Sequence, residues 1–161
     1  MTEVTIVQAD LDDATHQQAV LEMVNAYARD PMGRGEDLPA AVRSGLIGGL
    51  RAHPTSLIFL AFLGARPVGI AVCFVGFSTF AARPLINVHD LAVVPDSRGA
   101  GVGRRLLSRV ESVARERGCC KVTLEVLAGN LRAQRLYQHV GFQNIDAGGG
   151  TSKMWFLEKP L

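Results

Sequence analysis

The chain has 161 residues, of which 48% are hydrophobic and 20% charged, a balance typical of a soluble globular protein with its own core. Its net charge of +2 is too small to indicate nucleic-acid binding, and no apolar run approaches the ~20 residues of a membrane span. The composition therefore predicts one domain, residues 1–161, that acts on neither nucleic acid nor membrane.

The cysteines and the N-terminus predict a cytoplasmic location. Cys73, Cys119 and Cys120 are odd in number and two are adjacent, which argues against a disulfide framework. The first residues lack a basic segment followed by an apolar one, so no signal peptide is predicted. The four histidines are scattered, and no spacing predicts a metal site.

Strands and helices are interspersed along the chain. In order, the patterns predict a strand at Val4–Val7, a helix from Asp12 or Asp13 to Arg29, a helix from Pro39 to Ala52, strands at Ser56–Leu63, Pro67–Phe77 and Leu85–Val94, a helix from Val102 to Gly118, a strand at Lys121–Leu127, a helix at Leu131–His139, and strands at Phe142–Ile145 and Met154–Leu157. This order predicts an α/β layered domain whose strands are mostly antiparallel.

The second predicted helix is weakened by three glycines, Gly45, Gly48 and Gly49. Such a helix either serves as a mobile lid over a substrate or packs closely against a neighbour. The loop before it carries Asp30, Glu36 and Asp37, which either attract an amine or are simply solvated.

The stretch from Leu85 to Gly103 has the layout of a phosphate-binding site. An apolar, β-branched strand reaches Pro95, a glycine turn follows, and a helix begins. Glycines let the backbone approach an oxyanion, and the free N–H groups and dipole of a helix start favour negative charge. Four arginines, Arg98, Arg104, Arg105 and Arg109, cluster here and indicate a bound anion, with a solvated arginine face as the alternative.

Two motifs resemble the signatures of the GNAT N-acetyltransferase superfamily. Arg98-x-x-Gly101-x-Gly103 resembles its acetyl-CoA pyrophosphate loop, and Asn130-x-x-Ala133-x-x-x-Tyr137-x-x-x-Gly141-Phe142 resembles its second signature. The resemblance covers roughly residues 56–142. It implies that superfamily's fold, a mixed, mostly antiparallel sheet of about seven strands with helices on both faces, whose fourth and fifth strands splay apart.

Acetyl-CoA is the cosubstrate that the resemblance implies, with no metal. The residues that it assigns to CoA are Leu91, Ala92 and Val93 on the fourth strand, Arg98, Gly99, Ala100, Gly101, Val102, Gly103 and Arg104 in the loop, and Asn130 and Ala133 on the last helix. Tyr137 stands at the position of that superfamily's general acid. A phenol of pKa ~10 is able to donate a proton to a leaving thiolate whose thiol has a pKa of ~8.5. A packed core tyrosine and a pure helix cap are the alternatives for Tyr137 and Asn130.

The nearest look-alikes are the diamine acetyltransferases, the spermidine/spermine and thialysine group. Phe77-Ser78-Thr79-Phe80 matches their pattern, and His89-Asp90-Leu91 stands where they have Glu-Asp-Leu. His89 thus replaces the presumed base, and an imidazole that titrates near pH ~6.5 is a competent one. Ala128-Gly129-Asn130 replaces that group's Asp-Trp-Asn, which weakens the case for a polyamine substrate.

The identity of the base stays open among His89, Glu125 and a chain of water molecules. Glu125 lies on the predicted fifth strand beside the splay. Strand alternation predicts that His89 and Asp90 point to opposite faces, so they would not form a pair. Asp90 is then a structural hydrogen-bond acceptor or a recruiter of cationic substrate.

The resulting hypothesis is an N-acetyltransferase that moves acetyl from acetyl-CoA to a small primary amine by direct attack in a ternary complex. One alternative is a catalytically silent module that binds CoA or senses acyl groups, and another is an enzyme for protein N-termini or lysines. A homodimer is expected, because dimers are common in such folds and the final strand is apolar.

Overall fold

The computed structural model describes residues 3–145 and 153–161, and its strands form one seven-stranded sheet. The strands are β1 (Val4–Gln8), β2 (Ser56–Leu63), β3 (Arg66–Ser78), β4 (Arg83–Val93), β5 (Lys121–Leu127), β6 (Gln143–Asn144) and β7 (Met154–Pro160). Their spatial order is β1-β2-β3-β4-β5-β7-β6, and among the pairs in these ranges β4 and β5 alone run parallel. The predicted mixed, mostly antiparallel sheet is confirmed.

Four α-helices connect the strands in the predicted order: α1 (Ala14–Arg29), α2 (Ala40–Ala52), α3 (Val102–Glu116) and α4 (Leu131–His139). A single 3₁₀ turn at Pro95–Ser97 precedes α3. Asp13 caps α1, as predicted, by accepting a hydrogen bond of 2.9 Å from the His16 N–H. The segment 146–150, which separates the last two predicted strands, lies outside the described residues, within which no helix is long and apolar enough to cross a bilayer.

Strand alternation builds a core layer on each face of the sheet. In β2, Leu57, Phe59 and Ala61 pack towards α3, whereas Ile58 and Leu60 pack towards α1 and α2. Each such buried side chain contributes about 1.5–3 kcal/mol relative to exposure. The prediction of helices on both faces is confirmed.

The glycines of α2 do not mark close packing. A Cβ atom added to Gly45, Gly48 or Gly49 would meet no atom within 4 Å among the described residues. Leu50 is the buried residue of this helix. The glycines therefore do not mediate close packing, although the helix itself packs on the core through Leu50, and the lid interpretation stays a prediction.

The parallel pair of strands forks towards its C-terminal ends. β4 and β5 pair at Ile86–Val122, Asn87–Thr123 and Val88–Leu124, and the pairing then stops although both strands continue. The predicted splay between the fourth and fifth strands is confirmed. Beyond Val88, the β4 backbone has no neighbouring strand on that side.

A β-bulge at the start of the fork corrects one prediction. Val88 pairs with Cys73 and Asp90 with Val72, so His89 is an extra residue without a partner on β3. The His89 ring contacts Phe74, which packs in the same layer as Val72, beside α1 and α2. His89 and Asp90 therefore share one face, and the prediction of opposite faces is wrong because the bulge resets the alternation.

Candidate active site

A cavity of about 370 Å³ lies at the fork. Its lining includes most of the predicted CoA residues: Leu91, Ala92, Val93, Arg98, Gly99, Gly101, Val102, Gly103, Arg104, Asn130, Ala133 and the candidate acid Tyr137. Ala100 is exposed and outside this lining, as are His89 and Glu125. The fold thus brings the two motifs together around one cavity, with the candidate bases outside it.

The glycine loop, residues 98–104, needs its glycines for two separate reasons. Gly99 and Gly101 have φ angles of 82° and 80°, in the left-handed region that L side chains rarely adopt. Gly103 is different, because a Cβ atom there would lie 2.9 Å from Cδ2 of Leu136, so the Leu136 side chain would have to shift. No side chain caps α3, so its first N–H groups remain available to an anion at the cavity.

Of the four arginines predicted to indicate a bound anion, three have carboxylate partners. Arg98 forms an ion pair with Asp30 and its Nε donates to the Val93 carbonyl oxygen at 2.8 Å. Arg105 pairs with Glu3 at 3.2 Å, and Arg109 lies 3.7 Å from Glu116. These partners are distant in sequence or about two turns along the helix, which a count of basic residues overlooks. Within the described residues Arg104 alone of the four has no carboxylate partner.

Asp30 joins the end of α1 to the glycine loop. Its Oδ1 also accepts a hydrogen bond of 2.9 Å from the Met32 N–H. Burial alone would raise the pKa of Asp30, but the bonds from Arg98 and Met32 and the charges of Arg98 and Arg132 outweigh burial and lower it. This carboxylate is therefore ionised and held by Arg98.

The other two loop carboxylates also have partners. Asp37 lies 3.1 Å from Arg29 and accepts a hydrogen bond of 2.8 Å from Asn25, and Glu36 lies 3.2 Å from Arg34. The interpretation that the loop acids recruit an amine loses its support, because their charges are already balanced within the loop and its flanking helices.

Asp30→Asn is expected to lower the stability of the fold by about 2 kcal/mol, or about 5 °C in melting temperature. Asparagine preserves the bond to Met32 but leaves the Arg98 charge unpaired in a mostly buried place. Because the pKa of Asp30 is lowered in the fold, the pair stabilises above the ordinary carboxyl pKa of ~3.9 and is lost as pH falls below it. Thermal melts from pH 7 to pH 3 should show the two proteins converging in acid.

Glu36→Gln is the matched control for that measurement, since it removes a carboxylate from the same loop. The Arg34–Glu36 pair is more than half exposed on both sides and is worth ~0.5 kcal/mol at most. An equal loss in both variants would contradict the assigned role of the Arg98–Asp30 pair.

Tyr137 is held in place by the way α4 begins. Asn130 caps the helix, as predicted, with its Oδ1 accepting from the Ala133 N–H at 3.2 Å. Gln134, which is buried, donates to the carbonyl oxygens of Leu127 and Ala128 at 3.0 and 2.7 Å and so ties α4 to the end of β5. Tyr137 therefore reaches the cavity from a helix that is held in place by Asn130 at its N-cap and by Gln134.

The Tyr137 side chain is 6% exposed and meets the Phe142 ring edge-on at 5.9 Å between centroids. Burial, together with the nearby Tyr27, raises the pKa of Tyr137. The phenol is therefore protonated at neutral pH, as a proton donor must be.

The sequence analysis missed the wall that α1 contributes. Met23, Ala26, Tyr27 and Asp30 line the cavity from this helix. Met23 and Tyr27 fall on its apolar stripe, which indicates only core. The sequence signal for this wall is Tyr27, a phenol within that stripe that lies one turn before the carboxylate of Asp30. Burial raises the pKa of Tyr27, and the negative charges of Asp90 and Asp30 raise it further.

The candidate bases stand on the opposite side of the sheet from Tyr137. Val122, Leu124 and Val126 of β5 face the α3 layer, so Glu125 faces the other side, where His89 and Asp90 also lie. His89 and Glu125 are the first residues beyond the last pair of β4 and β5, and both are exposed. Burial raises the pKa of Asp90, and the neighbouring His89 offsets this only in part.

Phe77 and Phe80, which carry the resemblance to the diamine group, take no part in the cavity. They lie at the turn between β3 and β4 and are 63% and 105% exposed. Their match to that group therefore says nothing about the cavity itself.

Comparisons with known proteins indicate the family of the chain. The model of the acetyltransferase (GNAT) family matches residues 20–142. Thialysine N-epsilon-acetyltransferase from Bos taurus is 35% identical over 87 residues, which cover 54% of this chain and 51% of that protein. The N-acetyltransferase YhfO from Bacillus subtilis is 30% identical over 138 residues, covering 86% of this chain and 89% of that one.

The chain spans about half the length of the thialysine N-epsilon-acetyltransferases that it matches. Among solved structures, one chain of the NatC complex bound to Gag peptide and CoA superposes with a TM-score of 0.72 at 18% identity, covering 99% of each chain. That likeness concerns the fold alone. Because the family model spans most of the chain and the forked sheet agrees with it, the chain belongs to the GNAT acetyltransferase family.

Proposed function

We propose that the protein is an N-acetyltransferase that transfers acetyl from acetyl-CoA to a small primary amine by direct attack in a ternary complex. One observation carries the proposal: the fork between β4 and β5 separates the glycine loop and Tyr137 on one face from His89 and Glu125 on the other. A thioester and an amine can therefore meet at the fork from opposite sides of the sheet.

The donor half of the site is built for a phosphorylated, extended cosubstrate. The pyrophosphate would bind the N–H groups of the glycine loop and the start of α3, where the helix dipole favours anions. The pantetheine arm would lie along Leu91, Ala92 and Val93, whose backbone faces the fork without a partner strand. Asn130 and Ala133 would contact the same arm from α4.

The acceptor half supplies the base. In the proposed reaction the ammonium gives a proton to His89, and the free amine attacks the thioester carbonyl carbon. The C–N bond forms, the C–S bond breaks, and the leaving sulfur takes the proton of Tyr137. The phenolate then recovers a proton from the nitrogen that became positively charged, and His89 releases its own to water.

The acceptor is proposed to be a primary amine because thialysine, which the Bos taurus relative is named for, carries one. The silent CoA-binding module and an enzyme for protein N-termini or lysines are the alternatives. A single domain, a homodimer and a cytoplasmic location stay predictions.

The test is thiol release from acetyl-CoA against a panel of polyamines, lysine analogues, aminoglycosides and N-terminal peptides, with a no-amine control. Turnover with one class supports the proposal and identifies the acceptor. Thermal stabilisation by CoA without turnover on any amine would favour the silent module. No stabilisation by CoA would overturn the donor half of the site.

His89→Ala is expected to lower turnover about tenfold at pH 7.5 and to change its pH dependence. Wild-type activity should rise with pH as the base loses its proton and then level off. Without the imidazole, the rate should follow the fraction of the substrate amine that is unprotonated. It should therefore keep rising as the pH approaches an amine pKa of ~10. The measurement is kcat/KM from pH 5.5 to pH 9.5.

Glu125→Gln is the comparison variant, because Glu125 on β5 corresponds to His89 on β4 and lies on the same face of the sheet. It should keep the wild-type pH profile. If the rise near neutral pH disappears in Glu125→Gln and persists in His89→Ala, the base is Glu125 and the assignment of His89 is wrong.

A further inference from the structure

Two arginines at the cavity have no carboxylate partner within the described residues. Arg104 lies in the first turn of α3 and Arg132 in the first turn of α4, and both line the cavity. The neighbouring arginines of α3, Arg105 and Arg109, each pair with a glutamate. Arg104 and Arg132 are thus the guanidinium groups that the fold leaves open on the cavity side.

Both positions are electrostatically unfavourable for a cation without an anion nearby. The start of a helix carries partial positive charge, which opposes a cation by a few tenths of a kcal/mol. Neither α3 nor α4 has an acidic residue in its first turn to compensate. The charge of Arg132 acts on Asp30, but Asp30 already forms an ion pair with Arg98.

The positive charge here exceeds what a diphosphate requires. The glycine loop and the start of α3 suffice for the two charges of a pyrophosphate. Arg104 and Arg132 add two full charges from different helices at the same cavity. A second anionic group on the ligand accounts for them, and coenzyme A carries one in its 3′-phosphate monoester.

We propose that Arg104 and Arg132 bind the 3′-phosphate monoester of coenzyme A, so that the enzyme discriminates coenzyme A from dephospho-coenzyme A. The inference rests on the proposed use of acetyl-CoA as donor. A guanidinium donates paired hydrogen bonds to a phosphate, which makes arginine suited to this contact. Discrimination of about tenfold or more in Kd is expected from one charge-assisted contact.

The test is calorimetric titration of the wild type, Arg132→Gln and Arg104→Gln with coenzyme A and with dephospho-coenzyme A. Wild type should prefer coenzyme A at least tenfold. Arg132→Gln should weaken coenzyme A binding about tenfold and leave dephospho-coenzyme A binding unchanged. Equal weakening of both ligands would assign the arginine to the diphosphate and overturn the inference.

Arg135→Gln is the matched control, because Arg135 is exposed on the same helix and lies outside the cavity lining. It removes the same charge one turn along the same helix and should alter neither Kd. If Arg135→Gln weakens coenzyme A as much as Arg132→Gln does, the effect is long-range attraction and the inference fails.

A pH series adds a readout that a structural role would not change. The monoester loses one of its two charges below its second pKa of ~6, whereas arginine stays charged. The wild-type preference for coenzyme A should shrink from pH 7.5 to pH 5.5, and that slope should flatten in Arg132→Gln. Wild type that binds neither ligand would refute the proposed function, whereas equal binding of both refutes the inference alone.

Discussion

Tyr137→Phe is expected to lower kcat about 100-fold while the Kd for coenzyme A stays within about twofold of wild type. The substitution removes one hydroxyl from a buried side chain and keeps the ring that packs against Phe142. Without the hydroxyl, the sulfur must leave as an unprotonated thiolate. Binding of the cosubstrate depends on the loop and on β4, so it should be unaffected. Single-turnover rates and calorimetry separate the two quantities.

Tyr27→Phe is the informative companion, because Tyr27 is the second phenol that lines the cavity. The charges of Asp90 and Asp30 raise its pKa, and the loss of its hydroxyl should reduce kcat much less than the loss of the Tyr137 hydroxyl. A larger loss in Tyr27→Phe would make Tyr27 the proton donor. Unchanged turnover in Tyr137→Phe would remove Tyr137 from the mechanism and favour its role as a packed core residue.

The elements and the donor half of the site were predictable because they depend on local patterns. The stripe Val102, Leu106, Val110 and Ala114 is buried as its spacing predicts. The glycines of the loop adopt the backbone conformations that their chemistry allows. Asn130 caps α4 because an asparagine side chain satisfies the free N–H groups at a helix start. Each of these features is fixed within one or two turns of chain.

The acceptor half was less predictable because it depends on contacts between distant segments. A single extra residue, His89, turns Asp90 towards α1, and alternation alone cannot reveal a bulge. The pairing of Arg98 with Asp30 joins residues 68 positions apart, so a local count takes both as free charges. Tyr27 lies on the apolar stripe of α1 and is therefore predicted as a core residue, because a local pattern cannot show that a cavity lies where the core would otherwise continue.

Gly101→Val is expected to raise the Kd for coenzyme A at least about 100-fold. Gly101 has a φ of 80° and lines the cavity at the start of α3. A left-handed conformation costs an L residue about 1–2 kcal/mol, and a β-branched one more. The loop is therefore expected to leave this conformation, and its N–H groups would no longer converge on a phosphate. Calorimetric titration with coenzyme A measures the loss.

Ala100→Val is the matched control, because Ala100 is adjacent, exposed and outside the cavity lining, and its φ is not positive. It should leave the Kd within about threefold of wild type.

Gly101→Asn separates the effect of backbone conformation from the effect of side-chain bulk, since asparagine tolerates the left-handed region. A Cβ at Gly101 meets no described atom within 4 Å, so the protein itself leaves room for this side chain. Binding retained in Gly101→Asn would show that backbone conformation carries the effect. Equal losses in Ala100→Val and Gly101→Val would mean that added bulk anywhere in the loop is enough, and the case for a phosphate-binding backbone would fail.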